Sequence, residues 1–281
     1  MIAIDPECEA VSRLFSKKSV RAQYPVYVKS ENPIFKKRGT SFNLKNVREY
    51  QPCDDLRQID WKLYGRSDRY YIKEFYEEEN ERLFLLVDAS ASLGLFDLDY
   101  YRTFIATLAT IFLKLHFTIN LISFDYQPLA TCLNIKEEKN VSRLLGFLER
   151  VRFERRTDLV SVLRSIDARY RPGTVFLFSD LFDRNLVSGR LPMFRRSFLM
   201  HFFTSLEEYR LEFGETEVED PELGGRLLLS YNPSNRNRIR KLESEFLQSF
   251  ERRGKGYHYY RMTRSAGRVP CYWRILEDLY G

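Results

Sequence analysis

Three short blocks in the second part of the chain share one design: a mostly apolar run that stops at an aspartate. Leu83 to Val87 stops at Asp88, Thr118 to Phe124 at Asp125, and Thr174 to Ser179 at Asp180. Runs this short and this apolar suit strands buried on both faces, the usual state of central strands in a parallel sheet. Helical patterns separate them. Asp97 or Asp99 can cap a helix running to about Leu115. Val141, Leu144, Leu145, Leu148 and Val151 share one stripe. Thr157-Asp158 opens a further helix to about Tyr170, which Pro172-Gly173 ends. Such alternation predicts an α/β fold, a doubly wound and mostly parallel sheet with helices on both sides.

The remaining segments fill in around that frame. Pro128 with Leu129 to Leu133 reads as a short edge strand, where proline is tolerated. Ser197 to Thr204 and Tyr257 to Met262 read as further strands, and Tyr272 to Tyr280 as a closing helix. Leu186 to Phe194 reads as a short or broken helix, and Asn235 to Arg253 as a long one. Two strand-like arms around Asp220 to Gly225 predict an inserted hairpin near residues 213–231, its acidic run (Glu215, Glu217, Glu219, Asp220, Glu222) a contact surface or, on the plainer reading, a solvated loop. Residues 1–80 are expected to form a smaller, β-rich N-terminal region, cut from an α/β domain over 81–281 by the acidic run Glu77 to Glu81. Within it, Val11 to Phe15 reads as a helical turn or two, and Tyr24 to Val28 and Arg69 to Glu77 as strands. Asp54 or Asp55 would cap a helix with Leu56, Ile59 and Leu63 on one face, ended by Gly65.

Charge and cysteine usage narrow the function classes. The net charge is +6, but 45 basic residues face 39 acidic ones, a mixed surface rather than a nucleic-acid footprint. The arginines at 143, 150, 152, 155 and 156, and the basic group Arg236, Arg238, Arg240 and Lys241, are interleaved with glutamates and read as solvated helix faces. Four scattered cysteines without a Cys-x-x-Cys pair fit reduced thiols in a cytoplasmic protein, at most peripheral to a membrane. Phe104 to Leu113 is too short to span a bilayer. Of the histidines, His201 lies in an apolar strand and reads as a satisfied core residue.

The chemistry concentrates where the apolar runs stop. Asp88-x-Ser90-x-Ser92 ends one strand, Thr157 starts a helix, and Asp180 ends another strand. Ligands of open α/β sheets bind beyond the carboxyl ends of the strands. Gathered there, these residues make an all-oxygen site of the kind a hard cation such as Mg²⁺ takes. With two carboxylates and neutral hydroxyls, the ion would be under-neutralised and would attract an outside carboxylate. The bland alternative is capping, with Ser92 and Thr157 serving helix starts and Asp180 a turn.

This set, Asp88-x-Ser90-x-Ser92, then Thr157, then Asp180, resembles the metal-ion-dependent adhesion site of von Willebrand factor A domains. The resemblance implies ion-shell roles for Asp88, Ser90, Ser92 and Thr157, and a water-mediated role for Asp180. It admits Mn²⁺ or Ca²⁺ beside Mg²⁺. Upstream, Arg48-Glu49-Tyr50-x-Pro52-x-Asp54-Asp55-x-Arg57-x-Ile59-Asp60-Trp61, with Gly65-Arg66 and Lys73-Glu74-Phe75, closely resembles the signature of the bacterial domain of unknown function 58 family. Members join this motif to a von Willebrand factor A-like domain and are often encoded beside MoxR-type AAA+ ATPases. Two departures stand out: Cys53 where glycine is usual, and Arg156 where a small residue is common and where bulk would crowd the ion.

These features imply a non-catalytic interaction or scaffold protein that grips an acidic side chain of a protein partner, with a MoxR-type AAA+ ATPase as the implied partner. Asp54, Asp55, Arg57, Asp60 and Trp61 are a second candidate partner surface, against the plainer reading of a loop locked by ion pairs. The competing reading is a metal-dependent phosphoester hydrolase using Asp88, Asp125 and Asp180. Against it, Ser90 replaces the second carboxylate of an Asp-x-Asp pair, and neither a Gly-x-x-x-x-Gly-Lys loop nor a Gly-x-Ser-x-Gly elbow occurs.

Overall fold

The structure, a computed structural model, describes residues 2–21, 38–52, 54–76, 81–181, 183, 191–203, 214–222, 224–233, 235, 237–238, 240–241, 244–245, 248, 256–263 and 267–280. In chain order the first elements are helix α1 (Cys8–Arg21), strand β1 (Arg38–Glu49), helix α2 (Trp61–Ser67), and strands β2 (Tyr71–Tyr76) and β3 (Arg82–Asp88). Then come helix α3 (Leu98–Lys114), strands β4 (Thr118–Phe124) and β5 (Pro128–Ile135), and helices α4 (Val141–Arg150) and α5 (Leu159–Tyr170). Strands β6 (Thr174–Ser179), β7 (Arg196–Phe202), β8 (Gly214–Glu219) and β9 (Arg226–Tyr231) follow. Helix α6, whose described residues lie between 233 and 248, strand β10 (Tyr257–Met262) and helix α7 (Arg268–Tyr280) complete the order.

Two compact units emerge: Met1–Ala22 together with Glu81–Gly281, and Gln23–Asn80. In the larger unit a six-stranded sheet runs β10-β7-β6-β3-β4-β5. Every neighbouring pair is parallel except β4 with β5, so β5 is an antiparallel edge. Pro128 sits at the first position of that edge strand, where its missing N–H costs no ladder bond.

Side chains alternate across a strand, and β3 uses both faces. Leu83, Leu85 and Val87 join a cluster built with Val11 of α1, Phe104 and Leu108 of α3, Leu144 of α4 and Ile275 of α7. Phe84 and Leu86 join the opposite cluster, with Leu159, Val162, Leu163 and Ile166 of α5. Helices therefore cover both faces, which is why β3 is apolar at every position from Leu83 to Val87 rather than at alternate ones. Helix α3 is buried along almost its whole circumference, from Thr103 to Leu113, and Asp97 caps it by accepting from the Tyr100 N–H at 3.0 Å.

Residues 1–22 depart from the expected 1–80 region, because they belong to the larger unit. Asp5 is the fastening. Its N–H donates to Thr107 Oγ1 at 3.0 Å, Tyr272 Oη donates to its Oδ2 at 2.7 Å, and Arg268 Nη2 lies 2.8 Å from its Oδ1. Phe15 of α1 packs on Trp273 and Tyr280 of α7. The helical turn expected over Val11–Phe15 is thus part of a full amphipathic helix with Val11 and Phe15 in the core.

In the smaller unit β1 and β2 pair antiparallel, with register shifts between Gly39 and Leu44 and between Leu44 and Asn46. The single helix expected after Pro52 is instead a 3-10 turn (Leu56–Gln58) and then α2. The break falls at Ile59, which is buried and bridges Ile72 of β2. Asp60 then caps α2 by accepting from the Lys62 and Leu63 N–H groups. Gly65 does not end the helix; Asp68 does, in the left-handed region at φ 52°.

Elsewhere the hairpin of β8 and β9 forms as expected, as a separate two-stranded sheet. Leu191 to Phe194 are in no helix or strand, and the rest of the expected 186–194 helix lies outside the described residues, as does the strand expected at Tyr24–Val28. Cys8, Cys132 and Cys271 are free thiols, and Cys53 lies outside the described residues. Among the described residues no helix is long and apolar enough to cross a membrane.

Candidate functional site

The carboxyl ends of β3, β4 and β6 lie side by side, and three loops leave from there. The Ala89 N–H donates to the Phe124 carbonyl at 2.7 Å, holding the exit of β3 against the end of β4. Ser90 then pairs in parallel with Arg155, and the Ala91 N–H donates to the Arg155 carbonyl at 2.7 Å. This short extra pairing draws the segment before α5 onto the same rim. Tyr101, fully buried in α3, points its hydroxyl up between the strands, 3.0 Å from the Asp88 carbonyl and 3.1 Å from the Phe178 carbonyl.

Asp88 is fully buried. Its Oδ1 accepts from the Ser90 N–H at 2.9 Å and its Oδ2 from Ser179 Oγ at 2.5 Å. Burial, and next the neighbouring Asp180 carboxyl, push Asp88 up to about 8, against the pull of the hydrogen bonds from Ser179 and Ser90. The Ser90 and Ser92 hydroxyls lie 3.2 Å apart. Thr157, also buried, donates to the Asp125 carbonyl at 3.4 Å, at the end of β4 and two residues past the Ser90–Arg155 bridge. Asp88, Ser90, Ser92 and Asp180 are therefore brought together, and Thr157 stands on the adjoining strand end.

Capping explains less of this set than the alternative reading allows. Asp158 caps α5 through the Ser161 N–H, and the Asp183 carboxylate takes the Leu159 N–H at 2.8 Å, leaving Thr157 no capping role in α5. Arg156 is exposed, so the crowding expected from its bulk does not occur. Asp125 points elsewhere: it accepts from the Gln127 N–H at 3.0 Å and lies 3.8 Å from Arg155, whose guanidinium also contacts Tyr126. His201 is the satisfied core histidine expected. Its Nε2 faces the Asp180 carbonyl at 3.0 Å, so Nε2 carries the proton and Nδ1 accepts from Tyr259 Oη at 2.7 Å.

Two participants were not among the rim residues expected from the sequence. Ser179, the last residue of β6, orients Asp88, and the Leu181 N–H in turn donates to its hydroxyl at 2.9 Å. Glu222 comes from the turn between β8 and β9. Ser92 Oγ donates to its Oε1 at 3.1 Å across 130 residues of chain. Burial first, then the Asp180, Asp220 and Asp183 carboxylates, push Glu222 up to about 7, while the Ser92 hydrogen bond opposes them. The signal for Ser179 was its place beside Asp180. No local pattern marks Glu222.

Among the described residues no three His, Cys, Asp or Glu side chains close into a cage. The donors on this rim are carboxylates with neighbouring hydroxyls, all oxygen, and the carboxylates oppose one another. An arrangement of that kind is stabilised by positive charge and offers hard ligands only.

The second candidate surface lies in the smaller unit and is largely internal wiring. Arg48 makes a two-pronged pair with Asp54, at 2.7 and 2.6 Å, and the Gln51 N–H donates to the same carboxylate. Asp55 caps the 3-10 turn and pairs with Arg57. Asp60 caps α2 and lies 3.4 Å from Lys73. Hydrogen bonds from backbone N–H groups hold both Asp55 and Asp60 below the usual carboxylate range. Trp61 is exposed and begins a run of aromatic contacts through Tyr64 and Tyr70 to Tyr50. Of the arginines near α4, Arg152 pairs with Glu154, while Arg143 and Arg150 line a cleft of about 630 Å³ between α4 and β5.

Residues 46–246 match the family model described as "Protein of unknown function DUF58", well over half of the chain. The chain belongs to the DUF58 family. In this DUF58 protein the matched span covers both the Arg48–Asp54 loop and the strand-end rim. No curated protein sequence matches it. Among solved structures it is similar to the conserved hypothetical protein BatB from Bacteroides thetaiotaomicron, at 11% identity and a TM-score of 0.41, over 71% of this chain and 97% of that one. An aerotolerance-related membrane protein from Bacteroides fragilis follows at 14% identity and a TM-score of 0.39, over 71% and 100%. An uncharacterized membrane spanning protein from Vibrio fischeri matches at 15% identity and a TM-score of 0.24, over 72% and 99%.

Proposed function

We propose that this DUF58 protein is a non-catalytic interaction module of the von Willebrand factor A-like kind. In this reading Asp88, Ser90, Ser92, Thr157 and Asp180 hold a divalent cation, Mg²⁺ or else Mn²⁺ or Ca²⁺, and through it grip an acidic side chain of a partner protein. The observation that carries the reading is the meeting of Asp88, Ser90, Ser92 and Asp180 on one rim, with Asp88 wholly buried beside a second carboxyl. When bound, the cation supplies a positive charge with a coordination position left for an outside oxygen. Everything else is done by the chain. Ser179 and the Ser90 N–H fix the Asp88 carboxylate, and Tyr101 ties the ends of β3 and β6 together beneath it. Family resemblance points to a MoxR-type AAA+ ATPase, or a client under its control, as the cytoplasmic partner.

Hydrolysis of phosphoesters is the weaker reading. It needs Asp125 as a third inward carboxylate, and that side chain is taken up by Gln127 and Arg155. Calorimetric titration of Mg²⁺ tests the proposal directly. Saturable binding to the wild type that disappears in Asp88→Ala is expected; equal binding to both, or none to either, sinks it.

A further inference from the structure

We infer that Glu222 is a ligand of the same centre, supplied by the chain itself, so that the β8–β9 turn occupies the position a partner's carboxylate would take. The inference rests on the cation reading above and adds the residue that competes with the partner.

The geometry is specific. The turn between β8 and β9 is built to present one side chain: the Asp220 N–H donates to the Gly225 carbonyl at 2.7 Å, and the Gly224 N–H to the Asp220 carbonyl at 2.8 Å. Asp220 Oδ1 takes the Glu222 N–H at 2.9 Å. Gly224 sits at φ 67°, a conformation open to glycine and strained for most other residues. At the apex, Glu222 reaches Ser92 Oγ at 3.1 Å, and Ser92 is the outermost hydroxyl of the Asp88-x-Ser90-x-Ser92 run.

Electrostatics makes that contact informative. Asp180, Asp220 and Asp183 lie close enough to oppose a negative charge on Glu222. A cation shared between Glu222 and the strand-end residues turns that repulsion into attraction. Among the described residues the hairpin is also a separate sheet, its strands paired with each other and not with the central strands. It can withdraw without unzipping the core, and its withdrawal exposes the Ser92 side of the rim. A partner's carboxylate then competes with Glu222 for one position, which sets a threshold on partner affinity without closing the site to it.

Mn²⁺ reports the ligand count directly, through the relaxation of solvent protons by its exchangeable waters. Binding of Mn²⁺ and solvent proton relaxivity would be measured on the full chain for wild type, Glu222→Gln and Asp88→Ala, with acetate as the probe carboxylate. Expected for Glu222→Gln is Mn²⁺ binding about tenfold weaker, because ligand charge count sets affinity. Its relaxivity should be higher than that of the wild type, as water replaces the lost oxygen. Acetate should lower the relaxivity of Glu222→Gln at concentrations that leave the wild type unchanged. Wild type and Glu222→Gln alike in affinity, relaxivity and acetate response, with Asp88→Ala still abolishing binding, would overturn the role of Glu222 and leave the cation reading standing. No Mn²⁺ binding to the wild type would overturn both.

Discussion

Asp5 fastens the first residues of the chain to its last helix, and its removal has a size that can be worked out. Tyr272 is fully buried and donates its hydroxyl to Asp5 Oδ2, so Asp5→Ala leaves that hydroxyl without its acceptor. A stranded buried donor costs roughly 1–3 kcal/mol. The second loss is the pair with Arg268, whose side chain is 31% exposed and regains water, so about 1 kcal/mol suffices there. The bond from the Asp5 N–H to Thr107 survives the substitution. The expected total is about 3 kcal/mol, equivalent to about 6–12 °C in the melting temperature of a unit this size. Trp273 on α7 lies against Phe15 of α1 and is a local probe. With the exposed Trp61 changed to Phe as the common background, urea unfolding followed by Trp273 fluorescence reads this junction alone. Tyr272→Phe should cost about 1 kcal/mol, and adding it to Asp5→Ala should recover part of the loss because the stranded hydroxyl goes with it, a coupling of more than about 1 kcal/mol. Additive losses, or an Asp5→Ala cost below about 0.5 kcal/mol, would refute the fastening.

Three further outcomes follow from named contacts. Tyr101→Phe removes the hydroxyl between the Asp88 and Phe178 carbonyls and should cost about 1–2 kcal/mol in urea unfolding, without a change in the secondary structure read by circular dichroism. Burial, against a smaller pull from the Asp180 carbonyl and with Arg261 adding to the effect, lowers His201 from 6.5 to about 4. Between those values the unfolded chain binds a proton that the folded one refuses. Stability should therefore fall as pH drops from 6.5 towards 4, by about 3 kcal/mol more in wild type than in His201→Gln; parallel pH profiles in chelator would count against it. Arg48→Lys keeps the charge but loses the two-pronged grip on Asp54, and Trp61 fluorescence should show the smaller unit unfolding at lower urea, with a loss of about 1 kcal/mol.

What was legible in the sequence follows from how each element is stabilised. Strands β3, β4 and β6 are buried on both faces, so their own composition announces them. Asp97 and Asp158 cap helices next to them in sequence and are equally readable. The helix expected through Leu56, Ile59 and Leu63 failed because Ile59 is claimed by Ile72, a partner that no helical periodicity encodes. Residues 1–22 were assigned to the wrong side of the boundary for the same reason, since Asp5 finds its partners more than 100 positions away. At the rim, Asp88, Ser90, Ser92 and Asp180 could be named because each follows a recognisable strand. Glu222, named only within an acidic run, could not be tied to the rim, because a solvated acidic turn and one that reaches a distant serine look alike in a linear chain.

The placement of α1 also bears on how the protein is made. Its apolar stripe finds cover on α3 and α7, and α7 (Arg268–Tyr280) is translated long after both α1 and α3. The larger unit therefore cannot close before residues 268–280 have left the ribosome, whereas residues 23–80 emerge earlier and contain the β1–β2 sheet. The smaller unit should gain structure first on the nascent chain, leaving α1 only partly covered and in need of shielding until α7 has emerged.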